Sequence, residues 1–143
     1  MSVEENKAIC HRFFEEVFDE RNLDLMEELS AATYVYHGPG GREVNLQGLK
    51  QLLTMYFNAL PDLQATVEDL VAEGDTVATR YTLRGTHKGD LIGIPPTNKQ
   101  VIAMGIVIDR IVGGKFVESW GLLDQLSILQ QVGAIPPIGG SGG

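Results

Sequence analysis

The chain has 143 residues, 43% of them hydrophobic, and a formal net charge of −8 from 19 acidic and 11 basic side chains. That size and apolar content suit one domain with its own core and exclude a disordered chain. The negative balance argues against a nucleic-acid or anionic-membrane surface, each of which needs a positive field, and no apolar run is long enough to span a bilayer.

The start, Met1-Ser2-Val3-Glu4-Glu5, is acidic and helix-forming rather than a signal peptide, so a cytoplasmic location is expected. Residues 3–19 read as one helix. Ile9, Phe13 and Val17 lie four apart, as do Cys10, Phe14 and Phe18, and together they form a broad apolar stripe. Cys10 is the only cysteine, so no internal disulfide can form, and it reads as a buried small hydrophobe rather than a nucleophile. Asn22 is placed to cap a second helix over 23–29. Residues 33–37 are rich in Thr, Tyr and Val and predict a short strand, ended by Gly38-Pro39-Gly40-Gly41. Asn45 can cap a helix over 46–60, which Pro61 stops.

Residues 63–73 predict a strand with Ala65 and Val67 inside, and with Leu70 and Val71 as further candidates. Gly74-Asp75 turns it into three more strands, over 76–87, 99–111 and 115–124. The loop 88–98 carries Pro95-Pro96, and Gly113-Gly114 makes the last turn. Asp124 suits the N-cap of a final short helix that Gly133 and Pro136-Pro137 terminate. Helices therefore come first and an antiparallel meander follows, an α+β plan with helices on one face of a curved sheet. The domain is expected to fill 1–138. Gly139-Gly140-Ser141-Gly142-Gly143 reads as a flexible tail.

Several stretches carry a resemblance. Gly85-Thr86-His87-Lys88-Gly89, Gly93-Ile94-Pro95-Pro96-Thr97-Asn98-Lys99, Gly114-Lys115-Phe116-Val117-Glu118-Ser119-Trp120 and Leu129-Gln130-Gln131-Val132-Gly133 resemble the SnoaL-like polyketide cyclases of the nuclear transport factor 2 superfamily. The resemblance implies a cone-shaped barrel of mainly antiparallel sheet wrapped around N-terminal helices. It also implies a homodimer, and a pocket between helices and concave sheet. It does not imply one reaction, because the superfamily holds enzymes and binding modules alike. In the cyclases an acid–base aspartate stands where this chain has Gly121, and an assisting histidine and glutamine stand where it has Val107 and Gly105.

Side chains alternate along a strand. If those family positions face the pocket, Gly105, Val107, Asp109, Ser119 and Gly121 line it. Ile102, Met104, Ile106, Ile108 and Trp120, with Phe116 in the same set, then face outward, where a second copy of the sheet would cover them. Phe14, Phe18, Tyr36, Tyr56 and Tyr81 complete the expected lining, and the glycines are expected to leave room for a bulky ring-shaped ligand.

Four residues are candidates for relocated acid–base chemistry. Asp109 is either a base with a pKa raised by apolar neighbours or an exposed charge at a strand end, and its place before the Val112-Gly113-Gly114 turn favours the latter. His87 is a pocket donor or a structural histidine that holds the 88–98 loop, the second being favoured. Tyr36 and His37 share the first strand, with Tyr36 facing inward by the family match. Arg110 and Glu118 read as an ion pair across neighbouring strands. No two of the three histidines have metal-ligand spacing, so neither metal nor cofactor is expected. Three functions stay open: binding of a small, largely apolar ligand such as a cyclic carbonyl compound; a cofactor-independent cyclase, isomerase or hydratase; and a non-catalytic interaction module.

Overall fold

The computed structural model describes residues 2–136. The Gly/Ser tail and Pro137 lie outside the described residues. The order is α1 (Val3–Arg12), α2 (Leu25–Leu29), β1 (Ser30–His37), β2 (Glu43–Val44), α3 (Leu46–Ala59), β3 (Gln64–Glu73), β4 (Thr76–Thr86), β5 (Gln100–Val112), β6 (Lys115–Leu123) and α4 (Gln125–Gln131). The fold is α+β, as expected. Six strands form one open sheet in the order β2-β1-β6-β5-β4-β3, antiparallel except for β1 beside β6.

Local chemistry sets most boundaries. Ser2 and Glu5 form a reciprocal capping box at the start of α1. Asn45 accepts the Gly48 N–H at α3, and Asp124 accepts the Ser127 N–H at α4. Asn22 does not cap α2. Asp24 occupies that position in helical geometry and makes no side-chain bond, so α2 is entered through a turn.

The first helix also departs from expectation. It is α-helical only to Arg12, and Phe13–Asp19 continue as a π-helix. The wider turn moves the aromatic stripe round the axis. Phe13 then meets both Phe14 and Phe116 edge-on, while Phe14 packs beside Phe18 and Tyr81. A π segment of this kind is often found at a functional site.

The strand alternation is as expected through the middle of β5 and β6. Val101 and Ala103 are buried, whereas Ile102, Met104, Ile106, Ile108, Trp120 and Leu122 stand 41–67% exposed. Two irregularities change the inward set at strand ends. A shift in the β3–β4 register between Val67 and Asp69 turns Leu70 and Ala72 toward the core and leaves Val71 64% exposed. A second shift between Arg110 and Ile111 pairs Ile111 with Phe116, so Phe116 points inward and is buried, not outward as simple alternation predicts.

Candidate functional site

Between the helices and the concave sheet face lies a cavity of about 100 Å³. Phe14 and Phe18 line its helix side, and Tyr36, Tyr81, Val107 and Ser119 line its sheet side. A second cavity of about 80 Å³ adjoins it toward α4 and takes in Tyr56.

The polar end of the first cavity is Asp109. It is 7% exposed, although it stands near the end of β5. β5 runs on to Val112, and α1 lies across this part of the sheet, so the position is interior rather than a wet strand end. Ser119, its direct partner on β6, donates to one carboxylate oxygen at 2.5 Å. The Cys10 thiol donates to the other at 3.7 Å. Burial dominates both bonds and pushes the Asp109 pKa from 3.8 up to about 6. Burial also raises the Cys10 thiol, and the adjacent Asp109 charge adds to that shift, so Cys10 is a neutral donor and not a thiolate nucleophile.

Three tyrosines share the cavity with this carboxyl group. Tyr34, Tyr36 and Tyr81 all line the cavity. Burial raises the pKa of each, and the Asp109 charge raises each further, so all three hydroxyls are protonated donors. Sequence reasoning missed Tyr34, yet its signal was present: it precedes Tyr36 by two residues and so shares its face of β1. Cys10 was assigned to packing alone, and its bond to Asp109 spans 99 residues.

The two glycines do not open the pocket in the expected way. A Cβ at Gly105 would fall 2.3 Å from the Tyr81 ring, and one at Gly121 would fall 2.4 Å from the Tyr36 hydroxyl. The space is filled. Each glycine forms a shallow seat for a tyrosine, and a tyrosine hydroxyl lies where a side chain at 121 would begin.

The two candidate histidines, His37 and His87, stand apart from the cavity. His37 lies on the outer face, where Nε2 meets Glu118 at 2.7 Å and the ring stacks on Trp120. Alternation places it there, because its neighbour Tyr36 faces inward. Glu118 also receives Arg110 at 3.3 Å, the cross-strand pair expected. His87 is fully buried at the base of the 88–98 loop. Its Nδ1 lies 3.0 Å from the Thr97 hydroxyl, and its backbone bonds Lys99 and Asn98. Among the described residues, no group of three or more His, Cys, Asp or Glu side chains stands close enough to hold a metal ion.

The family model for SnoaL-like polyketide cyclases matches residues 8–132. The chain belongs to that family. Among solved structures, this SnoaL-like chain is similar to AclR of Streptomyces galilaeus, a candidate hydroxylase, at 29% identity and a TM-score of 0.88, over 96% of this chain and 86% of that one. It is also similar to IdmH of Streptomyces antibioticus, a candidate polyketide cyclase, at 31% identity and a TM-score of 0.82, over 90% of this chain and 98% of that one. A curated relative, the alanine–tRNA ligase of Natronomonas pharaonis, is 31% identical over 117 residues, which cover 79% of this chain and 12% of the ligase.

Proposed function

We propose that this SnoaL-like chain binds a small, largely apolar carbonyl compound and moves a proton at the carbon beside its carbonyl group, with Asp109 as the base. One observation carries the reading: a buried carboxyl group with a pKa near 6 faces a cavity walled by aromatic rings. A base poised near neutral pH is effective at proton abstraction. Asp109 takes the proton from the α-carbon, and the C–H electron pair moves into the carbon–oxygen system. Tyr36 or Tyr34 donates a hydrogen bond to the oxyanion that forms. The proton then returns from Asp109 to carbon, or the enolate carbon attacks a second carbonyl within the same molecule, whose C=O π pair moves onto oxygen, and the alkoxide so formed takes up the proton from Asp109. AclR and IdmH, a candidate hydroxylase and a candidate cyclase, support a small-molecule site on this scaffold and leave the outcome of the enolate open.

The test is exchange of α-hydrogens for deuterium in a panel of cyclic ketones and 1,3-dicarbonyl compounds, followed by NMR. Catalysed exchange that Asp109→Asn abolishes is the expected result. Exchange at the same rate in that variant removes Asp109 from the mechanism. We also propose that the outer sheet face, with Ile102, Met104, Ile106, Ile108 and Trp120, is covered by a second copy of the chain; its apolar exposure supports this.

A further inference from the structure

Asp109 is held from two sides. From β6 the Ser119 hydroxyl donates to Oδ1 at 2.5 Å, and from α1 the Cys10 thiol donates to Oδ2 at 3.7 Å. Both donors are shut off from solvent. One donor on each oxygen fixes the plane of the carboxyl group, which a single donor leaves free to turn. The two bonds are unequal, because a hydroxyl is a strong donor and a thiol a weak one. Oδ1 is therefore engaged by Ser119, and Oδ2 keeps most of its basicity.

Packing alone does not call for a thiol at position 10. Asn6 and Cys10, one turn apart, are the buried residues of α1. Cys10 belongs to the same buried apolar cluster as Val77, Ile111 and Phe116, where a small apolar side chain would also fit. What sulfur adds is a proton directed at Oδ2. Burial and the Asp109 charge both keep that proton on sulfur, so the thiol stays a donor after the carboxyl group ionises. The other titratable groups of the cavity wall are Tyr34 and Tyr36 from β1 and Tyr81 from β4, all neutral. Asp109 is the one acidic or basic side chain among the residues that line the cavity. Ser119 and Cys10 are the side chains that favour its ionised form.

We propose that Cys10 is a positioning residue, whose thiol holds Asp109 Oδ2 as the oxygen that takes the substrate proton and is a weak enough donor to leave that oxygen basic. In the step itself Oδ2 accepts the α-proton, the C–H electron pair passes to the carbonyl system, and the S–H proton stays on sulfur throughout. This rests on the reading of Asp109 as the base, and experiment separates the two.

The first measurement needs no substrate. Cys10 is the only cysteine of the chain, so its S–H stretch is a single Raman band. In the wild type that band should move to lower frequency as pH rises through about 6, because ionised Asp109 is the better acceptor. In Asp109→Asn it should not move with pH. The second measurement uses Cys10→Ala and Cys10→Val, one leaving a gap and the other filling it, and both without a donor. Each should raise the midpoint of Asp109, followed by carbon-13 NMR of its carboxyl group, by roughly half a unit, and so slow deuterium exchange at pH 5 roughly threefold. A loss of packing alone lowers the melting temperature and leaves the midpoint where it was. A band that ignores pH, or a midpoint unchanged in both variants, overturns the proposal. A moving band and a raised midpoint in a chain that catalyses no exchange overturn Asp109 as the base, and leave the hold of Cys10 on its carboxyl group standing.

Discussion

Burial sets Asp109 against its own ionisation, and this fixes a pH dependence for both stability and rate. Below the ordinary aspartate value of 3.8 the folded and unfolded chains both carry the proton. Between there and about 6 only the folded chain does, so its advantage shrinks as pH rises, and the loss is complete above 6. The shift corresponds to about 3 kcal/mol at most. Asp109→Asn should therefore raise the melting temperature at pH 8 by a few degrees and change it little at pH 4. An equal shift at both values, measured by calorimetry, would show that ionisation is not the cause. The exchange rate should do the opposite of the stability. It rises as Asp109 loses its proton and levels off above pH 6, and a flat profile from pH 4 to 8 would exclude a base with this pKa.

At the scale of elements, the inward and outward faces of β5 and β6 were legible, because alternation is local and a period of two survives in the sequence. The register shifts were not, since a bulge has no residue signature in Phe116 or Val71. The burial of Asp109 was equally hidden: it depends on Cys10 of α1, far away in the chain. The glycine seats are the clearest instance. Gly121 could be read as an absent side chain, but only the β1–β6 pairing brings Tyr36 over it, and only the β4–β5 pairing sets Tyr81 opposite Gly105. These seats make a prediction that runs against intuition. Gly105→Ala should destabilise the sheet by about 1–3 kcal/mol through overpacking, and it should weaken ligand binding by driving the Tyr81 ring into the cavity. Tyr81→Leu in the same chain should restore much of the lost stability. Denaturant titration checks both variants, and a neutral Gly105→Ala would mean that the ring moves aside freely.

For the whole molecule, the resemblance read from the loop and turn motifs led to the right family, and the family supplied the face that holds the cavity. It did not supply the polar groups of the cavity, because Asp109, Ser119 and the tyrosines that line it stand at other positions than Gly105, Val107 and Gly121. The outer face gives the test at this scale. If a second copy covers Ile106 and its neighbours, light scattering should give the mass of a dimer, and Ile106→Glu should reduce it to that of one chain. A monomer in the wild type would leave that face without the proposed partner.

The stack of His37 on Trp120 also gives the molecule a built-in optical probe. Trp120 is the only tryptophan in the sequence, 42% exposed, with its ring plane tilted 10° from the imidazole. It lies on the side of the sheet opposite the cavity. Its fluorescence should therefore be insensitive to what enters the cavity and responsive to what touches the outer face. Dilution that separates two copies should shift the emission to longer wavelength, as water replaces protein around the indole. Saturation with a ketone should leave the spectrum unchanged. One dye-free measurement thus reads assembly apart from occupancy.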